Sequence, residues 1–177
     1  MTSNVKALLN KLTPWLEKRL SITQGLSLVS AGGPVDTGFS NETLIINANY
    51  NKQGTEYKDC YVLRVKPMGF QVFPEYDLDK QVLIMDELHA LGLPTPKVLW
   101  NEPSSEVIGS PFYLMRHIDG SAPPDSPPFH MDPNCWVAQS TIEQKEGIWW
   151  EWVRYMSKVH LIDLDNVELN LLDRPLL

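Results

Sequence analysis

Cysteine is nearly absent: Cys60 and Cys135 are the only two in 177 residues, far apart and in no Cys-x-x-Cys spacing. Such a pair frames neither a zinc site nor a disulfide scaffold. Positive charge is also in short supply. Fifteen Lys and Arg stand against 22 Asp and Glu, a formal net charge of −7. Nucleic acid is therefore not expected as a partner, because the phosphate backbone needs a basic face. A single basic pocket for a nucleotide stays compatible with this balance. Long apolar runs are missing: no stretch approaches the roughly 18 residues of a membrane span. The opening Met1-Thr2-Ser3-Asn4-Val5-Lys6 has no basic start followed by an apolar run, so no signal peptide is expected. No membrane association is expected, and the cytoplasm is the expected compartment. The four histidines form no ligand cluster, so no metal site is expected within the chain.

What is present is a chain that can bury a core, with 43% hydrophobic residues. Residues 6–19 place Leu8, Leu9, Leu12, Trp15 and Leu16 on one helical face, with Pro14 expected to start or kink its second part. A strand is expected near 26–30, then a glycine-containing turn region over 31–41. Strands follow at 43–48 and 61–66, with the polar 51–58 between them as a hairpin loop. Residues 77–91 read as a helix with Leu78, Val82, Met85, Leu88 and Leu91 on its apolar side. Gly92 stops it, and Pro94 and Pro96 follow.

Short strands are expected at 97–100 and within 110–118, before a polar break at Asp119-Gly120. Residues 121–135 hold five of the fourteen prolines and read as an irregular surface crossover. A last helix over 144–161 sets Ile148, Trp149, Trp152, Val153, Met156 and Val159 inward.

Several segments, in order, resemble the aminoglycoside phosphotransferase-like (kinase-like) family. Gly38-Phe39-Ser40-Asn41-Glu42-Thr43-Leu44 resembles its phosphate loop, and Tyr61-Val62-Leu63-Arg64 its third strand. Leu93-Pro94-Thr95-Pro96-Lys97-Val98-Leu99 resembles the link after its lobe helix. Gly109-Ser110-Pro111-Phe112-Tyr113-Leu114-Met115, followed by Asp119-Gly120, resembles its hinge; Val159-His160 resembles the end of a large-lobe helix. The acyl-CoA-dehydrogenase-associated phosphotransferases, with a proline-rich crossover and a tryptophan after it, are particularly similar. The resemblance implies an α+β fold: a kinase-like small lobe over 1–119, with an antiparallel sheet of about five strands plus a helix. Residues 120–177 would be the crossover and first helix of an incomplete large lobe. It also implies ATP, or another nucleoside triphosphate, with Mg2+ in the complete enzyme, and a small-molecule hydroxyl as acceptor.

The resemblance assigns candidate binding residues. Gly38, Phe39, Ser40 and Asn41 belong to the phosphate loop, where Gly38 permits close backbone approach and Ser40 offers a hydroxyl. Alone, that segment reads as an ordinary turn. On the 61–66 strand, Val62, Arg64 and Lys66 share one face. A kinase strand puts a small apolar residue under the adenine and a cation two positions on, which Val62 and Arg64 fit. Lys66 is the reserve candidate, and a solvated strand edge the plain alternative. The glutamate that usually holds this cation falls on Gln81, which forms no ion pair; Asp79 is a nearby acid on another helix face. At the hinge, the Arg116 carbonyl and the Ile118 N–H are matched to adenine, with Met115 lining the pocket or simply filling the core.

No catalytic residue is assigned. The family's His-Gly-Asp-x-x-x-x-Asn loop does not occur in the chain. His117-Ile118-Asp119 sits in the hinge, and His130-Met131-Asp132 lies in the crossover. Asp165 and Asn170 have the right interval without the histidine. The expectation is thus the N-terminal part of a phosphotransferase that lacks its catalytic loop. The alternatives are a non-catalytic nucleotide-binding module or an interaction protein using the 144–161 helix. The expected partners are a nucleotide and either a missing C-terminal half or a second copy.

Overall fold

The computed structural model describes residues 3–23, 25–32, 42–67, 76–124 and 127–163. Helix α1 (Ser3–Leu20) opens the chain. It runs through Pro14 as one element rather than starting again there. Proline at that position removes one backbone bond, while Leu9, Leu12 and Leu16 are all buried on the same stripe. Each fully buried leucine contributes roughly 1.5–3 kcal/mol, and together they hold the helix against the sheet.

Strands β1 (Ser27–Gly32), β2 (Glu42–Lys52) and β3 (Thr55–Val65) follow. The broad hairpin loop expected over 51–58 is instead a two-residue turn, since β2 and β3 pair from Glu42↔Val65 down to Lys52↔Thr55. Both turn residues, Gln53 (φ 53) and Gly54 (φ 82), have positive φ. That is the signature of the tight turn whose twist matches its strands. Tyr50 stacks on Tyr57 at 5.2 Å and extends the hairpin through the polar stretch.

Helix α2 (Leu78–Ala90) begins where Asp77 accepts the Lys80 N–H at 3.0 Å. It ends as the sequence indicates. Gly92 (φ 75) donates to His89 and the buried Leu93 to Leu88, both at 3.0 Å, so two terminal carbonyls are satisfied. Strands β4 (Val98–Glu102) and β5 (Phe112–Arg116) complete a five-stranded antiparallel sheet in the order β1-β2-β3-β5-β4. The fold is α+β.

Alternation divides the sheet into two faces. One carries Ile46, Ala48 and Tyr50 of β2, Tyr61, Leu63 and Val65 of β3, and Phe112 and Leu114 of β5, packed with α1 into a single core. Trp15 seals its edge. Its ring meets Phe112 edge-on at 5.0 Å, its N–H donates to Glu102 at 2.8 Å, and Arg19 lies over it at 5.0 Å. Helix α2 lies on the other face, against β4 and β5.

Past the crossover come the short α3 (Trp136–Gln139) and α4 (Ile142–His160). The start of α4 is fixed by a reciprocal cap, the Thr141 hydroxyl accepting from Gln144 N–H and the Gln144 side chain from Thr141 N–H. The side chains expected to face inward are not buried: Ile148, Trp149, Trp152, Met156 and Val159 are exposed. The helix has its apolar stripe, but no described element covers it. No helix among the described residues is long and apolar enough to cross a membrane.

Candidate functional site

The face opposite the core carries the candidate residues in two successive rungs. On the first, Val62 stands between Ile45 of β2 and Met115 of β5, with Val98 of β4 beyond Met115. On the second, Arg64 stands between Thr43 and Tyr113, with Asn101 beyond Tyr113. The first rung is apolar and the second polar. A two-residue step along a strand separates them by about 7 Å. Ile45, Val62, Met115, Thr43 and Arg64 are all half-buried, whereas Ile46, Leu63 and Leu114 on the core face are closed off. This is a partly open surface floored by a sheet.

The ends of the rungs are placed by the hairpins. Arg64 pairs with Thr43, the second residue of β2, so the segment that links β1 to β2 joins the sheet beside the cation. Gly38, Phe39, Ser40 and Asn41 belong to that linking segment and lie outside the described residues. Lys66 comes just after β3 and is tied by its backbone: its N–H donates to Pro111 at 2.9 Å, and its carbonyl accepts from the Ser110 hydroxyl at 2.8 Å. It stands beyond the paired rungs.

The helix residues fall on different strands. Asp79 accepts from the Asn101 side chain of β4, two strands away from Arg64. Gln81 reaches instead toward β5, where the Tyr113 hydroxyl lies 3.4 Å from its Oε1 and 3.8 Å from Met85 Sδ. Tyr113 is 2% exposed. Burial raises its phenol pKa, and the Arg64 charge pulls the other way. Gln81 and Arg64 thus both adjoin one buried tyrosine.

At the hinge, the Arg116 N–H donates to Lys97 at 2.9 Å and the His117 N–H to Cys60 at 3.2 Å. These two successive groups thus point to opposite edges of β5, toward β4 and β3. Ile118 is exposed. Met115 is half-buried beside Val62, so it lines the apolar rung and is not part of the closed core. Among the described residues no group of three or more His, Cys, Asp or Glu side chains is placed to hold a metal ion.

Tyr113, Ile45, Thr43 and Asn101 were not singled out from the sequence. Alternation on β5 could have found Tyr113, since it is two residues from Met115 and shares its face. The others become visible only once the strand partners are known.

An apolar groove of about 660 Å³ lies elsewhere, between the crossover, α3 and α4. Pro123, Phe129, Val137, Ile148, Trp149 and Trp152 contribute to its walls.

The sequence model of a phosphotransferase enzyme family, APH, matches residues 37–169. Among curated proteins the chain is similar to acyl-CoA dehydrogenase family member 11 of Rattus norvegicus, 31% identical over 84 residues, covering 48% of this chain and 10% of that protein. The Homo sapiens protein of the same name is 30% identical over 83 residues, covering 47% of this chain and 10% of that protein. Acyl-CoA dehydrogenase family member 10 of Mus musculus is 28% identical over 160 residues, covering 88% of this chain and 13% of that protein. Among solved structures, one from Ralstonia eutropha described as a "putative aminoglycoside phosphotransferase" is 22% identical with a TM-score of 0.41, covering 64% of this chain and 28% of that one. The chain thus spans about a tenth of the length of the curated relatives it matches.

Proposed function

Because the chain belongs to the phosphotransferase enzyme family, we propose that its sheet binds a nucleoside triphosphate, with ATP as the first candidate. The chain would be the nucleotide-binding part of an enzyme that transfers the γ-phosphoryl group to a small-molecule hydroxyl. The observation that carries this reading is the pair of rungs: Ile45, Val62 and Met115 give an apolar bed, and Arg64 gives a cation one step further. A base needs the first and a phosphate the second. The segment containing Gly38, Phe39, Ser40 and Asn41 joins the sheet at the phosphate end, where backbone N–H groups would complete the cradle. The Arg116 carbonyl and the Ile118 N–H would read the base edge. Arg64 would bridge phosphate oxygens in two-point fashion, as a guanidinium does better than an ammonium.

Magnesium would accompany the nucleotide, its charge offsetting that of the phosphates. The described residues offer no cluster of ligands for it, so no step of the chemistry is assigned to a metal held by them. The chain also contains no His-Gly-Asp-x-x-x-x-Asn sequence. On this reading it binds nucleotide without turning it over, and it works in the cytoplasm. Titration with ATP and adenosine, run beside an assay of ADP formation with hydroxyl acceptors, tests this. Binding without ADP formation is expected. Turnover that a substitution within 1–177 abolishes would refute the non-catalytic part.

A second reading is favoured by one observation. Trp149, Trp150 and Trp152 stand exposed on α4 beside the apolar groove. An interaction module would use that surface. A stable complex formed without any nucleotide binding would favour it over the first reading.

A further inference from the structure

Burying a phenol is costly unless its hydroxyl finds a partner. Tyr113 is enclosed between β5 and α2, on the rung of Arg64, and its hydroxyl meets Gln81 and Met85 of α2. Gln81 is neutral, so it forms no ion pair with Arg64. Asp79, the acid of the first turn, is engaged by Asn101 on β4. Tyr113 is thus the side chain that adjoins Arg64 across the strand pair and reaches Gln81 on the helix.

We propose that Tyr113 is a positioning residue for nucleotide binding: it sets α2 against β5 through Gln81 and fixes the space in which the Arg64 guanidinium meets the phosphates. This rests on the nucleotide reading above. Its effect reaches the phosphate half of the ligand through Arg64 and leaves the apolar rung of Ile45, Val62 and Met115 unaffected.

The test is calorimetric titration of the full chain with adenosine and with ATP plus magnesium, for the unsubstituted chain, Tyr113→Phe, Gln81→Ala and the double variant. A net hydrogen bond of ordinary strength corresponds to about a three- to ten-fold change in affinity. Tyr113→Phe should weaken ATP by about that factor and leave adenosine unchanged. Gln81→Ala should do the same, and the double variant should be no weaker than either single one, since both remove one contact. A purely structural role would weaken adenosine and ATP alike, and that result overturns the proposal, as does an unchanged ATP affinity in Tyr113→Phe. If Tyr113→Phe does not fold, Gln81→Ala decides alone: an ATP-only loss supports the proposal and no loss overturns it. If the unsubstituted chain binds neither ligand, the nucleotide reading falls and this inference falls with it.

Discussion

Asp79 of α2 is hydrogen-bonded to Asn101 of β4 and so is committed to the far edge of the sheet from Arg64. The acid nearest in sequence to the family's glutamate position therefore serves to dock the helix. Asp79→Ala should cost about 0.5–1.5 kcal/mol of stability, the net value of an ordinary hydrogen bond. It should change ATP affinity by less than about ten-fold, because no phosphate-binding charge pair is lost. Paired denaturant unfolding and calorimetry separate the two effects. A large loss of ATP affinity with unchanged stability would place Asp79 in the binding site instead.

The two faces of β3 should respond differently to truncation. Leu63 is fully buried in the core with α1, while its neighbour Val62 is half-buried on the open face. Leu63→Ala should destabilise the fold by roughly 2–5 kcal/mol, the cost of a buried leucine and the cavity it leaves. Val62→Ala should cost well below that and act mainly on adenosine affinity. Urea midpoints of the two variants check the ordering, and equal destabilisation would mean that the open face is closed in solution.

Alkaline conditions should loosen the β2–β3 hairpin. The Tyr50 phenol is pushed up to about 12 from its ordinary 10.0, first by burial and then by the Asp59 carboxylate, to which it donates at 2.7 Å. A raised folded-state pKa means that the folded chain holds this proton more tightly than the unfolded one. The stabilisation is complete below pH 10 and is lost as pH rises through about 12. Tyr61, which donates to the same carboxylate at 2.9 Å, is shifted in the same direction. Unfolding followed between pH 9 and 12 should show falling stability, with a shallower fall in Tyr50→Phe; the same slope in both would contradict the assignment.

Much of this was legible in the residues, and the gaps have physical causes. Asp77, read as the first helical residue, is instead the cap before helix α2, whereas the C-terminal end of the helix was readable because Gly92 acts locally, within a turn of the residues it follows. Alternation on β3 placed Val62 and Arg64 on one face for the same reason. The tight turn at Gln53-Gly54 was hidden because its flanks are polar and are held by cross-strand pairs such as Tyr50 with Tyr57. The path of α1 through Pro14 depends on distant burial against the sheet. The partners of Arg64 and Val62 depend on β5 lying between β3 and β4, a long-range pairing that no local pattern encodes. Gly38, Phe39, Ser40 and Asn41 lie outside the described residues.

Helix α4 should drive association. Trp149 and Trp152 are 59% and 54% exposed and lie 5.4 Å apart, a patch that α4 shares with Ile148, Met156 and Val159. Burying such side chains contributes roughly 1.5–3 kcal/mol each, a strong drive to self-associate. Sedimentation at micromolar concentration should show oligomers that Trp149→Glu with Trp152→Glu reduces to monomer. A clean monomer that binds little hydrophobic dye would refute this.

Calorimetric titration of the chain with ATP and magnesium reads nucleotide binding at the Val62–Arg64 face. A charge-assisted phosphate contact is worth roughly 1.5–3 kcal/mol, so Arg64→Ala should weaken ATP by about ten-fold or more while Lys66→Ala has a much smaller effect. Adenosine, which lacks phosphates, should bind both variants like the unsubstituted chain. If Lys66→Ala abolishes ATP binding and Arg64→Ala does not, or if the unsubstituted chain binds no nucleotide at all, the Val62–Arg64 face is not a nucleotide site.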